Sequence, residues 1–134
     1  MLDWQDRFER GVLGYATDYA GLGKSDWHLR IGRALLARAQ AAGVLVVIVE
    51  LPVSPQFRAH QGIDPRHLAW RHAMQAAADE TGALYWDHTA YFDDDHVFGD
   101  PAHMAEPAAM AYSHSLGAKL AADPRVRVAL ERAH

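Results

Sequence analysis

Cysteine does not occur in this chain, so disulfides, thiolate metal sites and cysteine nucleophiles are excluded. Lysine occurs only twice and the arginines are scattered, leaving no polybasic patch to hold a membrane surface. A formal net charge of −4 and a pI near 6.1 offer no basic field for nucleic acid. Long apolar runs are absent as well: residues 43–49 form the longest, far too short to cross a bilayer. Residues 1–6 lack the basic and then apolar pattern of a secretory leader, so no signal peptide is expected and no compartment is assigned. There is no internal repeat, and Gly23-Lys24-Ser25 lacks the earlier glycine that a phosphate-binding loop needs.

What is present suits a single α/β domain over residues 1–134. Half of the residues are hydrophobic and 22% are charged, the balance of a globular chain rather than a disordered one. The spacing of Trp4, Phe8, Val12 and Tyr15 predicts a helix over 3–19 capped by Asp3, although Gly11 and Gly14 each weaken it by up to about 1 kcal/mol. A stronger helix is predicted from Ser25 or Asp26 to about Ala42, with Trp27, Ile31 and Leu35 as its apolar stripe and Gly43 as its stop. Residues 44–50 are β-branched and continuously apolar up to Glu50, which predicts a strand buried on both faces of a parallel sheet. Pro52 and Pro55 end it, with a loop and about one helical turn to follow. A helix over 65–80 burying Trp70, Ala73, Met74 and Ala77 then leads to a second strand over 83–87, a parallel crossover unit. A long polar loop over 88–104, a helix from Glu106 to about Ala122 with Met110, Leu116 and Leu120 on its apolar stripe, and a short helical piece complete the chain. Two strands seldom make a stable sheet. Either a strand lies within the first 24 residues, or the sheet is completed by a second copy of the chain or by a missing N-terminal segment; the latter two are favoured.

Twelve aspartates and nine histidines give about 0.8 Asp-x-x-His pairs by chance, and three occur. Asp64/His67 precedes a helix, with Pro65 next, and reads as an N-cap followed by a first-turn proline. Asp93/His96 lies in the acidic run Asp93-Asp94-Asp95, which reads as a solvated turn. Asp100/His103 alone follows a strand signal, holds a turn proline and precedes an amphipathic helix. An aspartate beside a histidine fixes the imidazole tautomer and stabilises its cation, as a general base requires.

The order of an apolar strand ending in Val49-Glu50-Leu51-Pro52, a helix, a strand ending at Asp87, then Phe98-Gly99-Asp100-Pro101-Ala102-His103 and a small-residue helix resembles the C-terminal half of SGNH (GDSL-like) hydrolases, closest in flavour to their O-acetyltransferase-like branch. The resemblance covers roughly residues 30–122. It implies a flavodoxin-like three-layer sandwich around a parallel sheet, no cofactor and no metal, and a carbohydrate or small-molecule ester as substrate. It implies Asp100 as orienter and His103 as base, with Ala109, Tyr112, Ser113 and Leu116 on the closing helix. The chain departs from the family in having no Gly-Asp-Ser turn and no Gly-x-Asn-Asp segment; asparagine is absent altogether.

Four serines are available. Ser25 reads as a helix cap, and Ser113 and Ser115 as structural positions within a helix. Ser54 follows the best strand and is the candidate nucleophile or crevice residue, although its flanking prolines favour a turn role. Two other readings stand beside serine ester hydrolysis or O-acyl transfer. One is a non-catalytic α/β half-domain or assembly module. The other is a metal site drawing on Asp93, Asp95, His96, Asp100 and His103. His88, following the second strand, could border the same crevice.

Overall fold

The computed structural model describes residues 3–22, 27–62 and 64–132, with the backbone alone for residues 15–22. Helix α1 spans Trp4–Leu22. It opens on Asp3, whose carboxylate accepts from the Asp6 amide at 2.9 Å, satisfying one of the orphan donors of the first turn. Helix α2 spans Trp27–Ala41; its expected caps, Ser25 and Asp26, lie outside the described residues. Gly43 ends it at φ +70°. The Gly43 amide donates to Gln40 O and the Val44 amide to Ala39 O, each at 2.9 Å. This is the paired closure that a left-handed glycine permits.

Strand β1 (Val47–Glu50) and strand β2 (Leu84–Asp87) pair in parallel, Val47 against Leu84 through Glu50 against Asp87. Between them lie α3 (Pro55–Gln61) and α4 (Pro65–Thr81). Ser54 caps α3 and Asp64 caps α4, each followed by a proline in the first turn; that proline has no N–H to waste and a φ already set for the helix. Gly82 closes α4 at φ +71°. The loop after β2 carries a 3-10 turn, Asp95–Val97, and a minute antiparallel hairpin of β3 (Phe98–Asp100) and β4 (His103–Met104). Helices α5 (Glu106–Ala122) and α6 (Pro124–Arg132) follow.

The chain is therefore mixed α/β and mostly helical, with small sheets, one of them a parallel pair. Helix covers the described residues up to Leu22, so none of those supplies the extra strand that the sequence allows for. Residues 44–46, predicted as strand, carry no strand assignment, and β1 is only half buried. The reason is topological: among the described residues β1 has β2 on one edge and nothing on the other, so its apolar faces lack the cover that a wider sheet would give. The stripe Trp27, Ile31 and Leu35 is exposed, and so are Trp70 and Met110. Helix α2 instead turns Leu36 and Gly32 inward, where a Cβ on Gly32 would stand 3.3 Å from Met74 Sδ. In α4 the buried residues are Ala77 and Ala78. The packed interior gathers Phe8, Phe57, Ala77, Ala78, Phe98 and Tyr112.

Burial separates two kinds of apolar position sharply. Phe57 is 0% exposed and Leu35 is 62% exposed. Phe57→Ala is expected to cost about 3–5 kcal/mol through lost transfer energy and a residual cavity, and Leu35→Ala less than about 1 kcal/mol. Urea unfolding of the two variants checks this; comparable losses would contradict the arrangement.

Candidate functional site

Asp100 and His103 flank a two-residue turn, Pro101-Ala102, between β3 and β4. Proline is suited to the first inner position of such a turn, and aspartate to the position before it, where its side chain can bond amides further on. Asp100 Oδ1 accepts from the Ala102 amide at 2.9 Å and from the His103 amide at 3.0 Å. The His103 ring then closes on the same carboxylate, with Nδ1 2.9 Å from both oxygens. Nδ1 thus carries the proton toward Asp100, and proton transfer to a reactant falls to Nε2. The ring is 71% exposed and the carboxylate 44% exposed.

Partial burial pushes the Asp100 carboxyl up. The Ala102 amide, the His103 ring and the His103 amide outweigh it, and its pKa lies below the ordinary 3.8.

Ser54 meets this turn through its backbone. Its amide donates to Pro101 O at 3.0 Å, so the loop after β1 and the Asp-His hairpin touch. Its hydroxyl is committed elsewhere: Oγ accepts from the Phe57 amide at 3.2 Å, and the residue is 0% exposed. The turn-and-cap chemistry of Ser-Pro therefore describes what Ser54 does in this conformation. Ser113 Oγ donates to Ala109 O at 2.8 Å within α5, and Ser115 also lies within α5. Ser25 is outside the described residues.

The remaining sequence candidates sort cleanly. Asp64 accepts from the Arg66 amide as the cap of α4. Asp93 pairs with Arg58 at 2.8 Å, Asp95 Oδ1 accepts from the Gln56 amide at 3.2 Å, and His96 lies 4.6 Å from the Trp4 ring. The acidic loop is thus tied to α3 and α1 rather than merely solvated. Among the described residues no three His, Asp or Glu side chains come together as metal ligands.

Two further clusters stand at the carboxyl ends of the parallel strands, where open α/β sheets place their sites. In the first, Glu50 and Asp87 are register neighbours. Arg71 donates Nε–H to Glu50 Oε1 at 3.0 Å, pairs Nη2 with Glu50 Oε2, and reaches Asp87 Oδ2 with Nη1 at 3.3 Å. Tyr85 OH donates to Glu50 Oε1; burial and this bond push the phenol well above its ordinary range. In the second, His88 Nδ1 lies 2.8 Å from Tyr112 OH and Nε2 lies 2.7 Å from Lys119 Nζ. Burial and then the Lys119 charge hold the His88 imidazole below its usual pKa, which matches an Nε2 that accepts from the ammonium. Lys119 also sits 4.6 Å over the Trp86 ring. Glu50, Asp87 and His88 were visible as strand-end residues; Arg71 and Lys119 come from helices and carried no local signal.

Two grooves border the opposite end of β1, around Gly43 and Leu45, and neither is lined by Asp100 or His103. The His103 ring is mostly exposed and Asp100 is partly buried. Compared with family models, curated proteins and solved structures, the chain finds no match.

The depressed Asp100 pKa has a definite consequence. Such a group contributes stability that is present above its unfolded value and is lost as pH falls through the lower folded value. The stability difference between the wild type and Asp100→Asn is expected to be largest near neutrality and to shrink below about pH 4. Urea unfolding across an acid pH series measures it; a difference independent of pH would contradict the assigned bonds.

Proposed function

We propose that this chain carries the orienter-and-base part of a serine ester hydrolase or O-acyltransferase of the SGNH type, built on the parallel flavodoxin-like sheet of that superfamily. One observation carries the reading: Asp100 grips His103 Nδ1 with both oxygens while holding the His103 amide, so carboxylate and imidazole form one preorganised unit. In the proposed reaction His103 Nε2 takes the proton of an attacking serine hydroxyl, an acyl-enzyme forms, and the same imidazole returns the proton to the leaving alcohol. Asp100 holds the tautomer and stabilises the imidazolium. A small-molecule or carbohydrate ester is the substrate class, and a segment or second chain that completes the two-stranded sheet brings the nucleophile. The exposed setting of His103 supports this, because a base in working position lies within hydrogen-bond reach of a nucleophile.

A second reading is favoured by a different observation. The half-buried β1 and the exposed Trp27, Ile31 and Leu35 suit an α/β module whose role is assembly.

Labelling with a fluorophosphonate, run beside His103→Ala and read by intact mass and peptide mapping, separates the two. Where a second copy of the chain brings the nucleophile, one serine adduct is expected that disappears in the variant, at a serine other than Ser54, whose Oγ is buried in its cap. A well-folded chain that takes no adduct would overturn catalysis by this chain alone and leave a nucleophile carried by a further segment, or the assembly module.

A further inference from the structure

We propose that Gly11, on α1, is a positioning residue for the Asp100–His103 pair: its bare face seats the Pro101 ring and, together with the Ser54 amide on the Pro101 carbonyl, clamps the turn that presses carboxylate against imidazole. The clamp takes its catalytic meaning from the reading of that pair as orienter and base.

A Cβ placed on Gly11 would lie 2.9 Å from Pro101 Cδ and 3.1 Å from Cγ. Those atoms belong to a ring fused to the backbone, so they cannot rotate aside as the end of a flexible side chain would. Pro101 is itself fully buried, although His103 is largely open to solvent and Asp100 partly so. From the far side its carbonyl is held by the Ser54 amide at 3.0 Å. The turn is therefore gripped through its middle, and its two functional side chains project from the gripped point.

Helix α1 is not at liberty to retreat. Phe8 is buried, and Trp4 stacks on Phe8 and meets His96, with ring centroids 4.6 Å apart in each case. Trp4 and Gly11 are seven residues apart, about 10 Å along the axis. Two contacts at that separation fix the line of the helix along the loop and hairpin. Glycine inside a helix is unfavourable by local propensity, and close approach of another chain segment is the reason to keep one. Gly14, one turn further on, has nothing among the described residues within 4 Å of its would-be Cβ and serves as the internal control.

The test is a carbon-detected titration of the Asp100 carboxyl in the full chain, with Asp100→Asn assigning the signal. The wild-type midpoint is expected below the ordinary aspartate value. Gly11→Ala is expected to move it up toward that value, and Gly14→Ala to leave it in place. The double variant Gly11→Ala/Pro101→Ala, which lacks Cδ and Cγ, is expected to return the midpoint to that of Pro101→Ala alone. An unchanged midpoint in folded Gly11→Ala, or an equal rise in Gly14→Ala, would overturn the clamp. Should Gly11→Ala fail to fold, recovery of both fold and midpoint in the double variant supports the contact, and persistent loss refutes it. Because the titration does not depend on catalysis, a wild-type chain that takes no fluorophosphonate while Gly11→Ala still shifts Asp100 would strike catalysis by this chain alone and leave the clamp standing.

Discussion

Parallel pairing of β1 with β2 does more than join eight residues, because its hydrogen bonding continues beyond the strands. The His88 amide donates to Glu50 O at 3.0 Å, the Val53 amide to Thr89 O at 3.3 Å, and the Ser54 amide to Pro101 O at 3.0 Å. These three bonds carry backbone order from the sheet, through the loop with its two prolines, to the hairpin that holds Asp100 and His103. A buried amide without a partner costs free energy comparable to a lost hydrogen bond, so the residues between 50 and 54 are constrained from both sides. The Asp-His pair is remote from the strands in sequence and close to their ends in space for this reason.

Charge at the same end is organised around Arg71. Glu50 is among the more buried carboxylates of the chain, and its oxygens are met by the guanidinium and by Tyr85 OH. Such a pair adds modestly to net stability, since both groups were removed from water, but losing one partner strands the other. Arg71 also faces Asp87, which keeps two neighbouring strand-end carboxylates from repelling across the parallel register. The network therefore lets the two strands end side by side in acidic residues. Aromatic contacts extend from it: Trp86 stacks near His88, His88 meets Tyr112, Tyr112 meets Tyr91, Tyr91 meets Phe92 and Phe92 meets Phe98. Phe98 opens the hairpin, so a packed side-chain path parallels the backbone one.

The features legible in the sequence were those decided by neighbouring residues. Asp64-Pro65 caps α4, Gly43 ends α2 at positive φ, and Asp100 with His103 flank the turn that the proline between them suggested. Ser54-Pro55 carried the same cap-and-proline signature as Asp64-Pro65, yet two nearby prolines obscured it; α3 proved to be a seven-residue helix rather than a single turn. Tertiary choices were not legible. Helix α2 is apolar on two faces, and periodicity alone cannot say that Leu36 would turn inward while Trp27, Ile31 and Leu35 stayed out. Nor could it pair Arg71 with Glu50 across 21 residues, or place Gly11 against Pro101. Gly11 looked like a flaw in a helix, whereas its lack of a side chain is what the neighbouring ring requires.

The central claim is that Asp100 fixes the tautomer of His103, and nitrogen-detected NMR of the histidine rings tests it most directly. A long-range proton–nitrogen correlation with the ring neutral is predicted to show His103 Nδ1 protonated and Nε2 bare, with the preference lost in Asp100→Asn. A His103 that is protonated mainly on Nε2, or that averages between tautomers and does not respond to Asp100→Asn, would contradict the account.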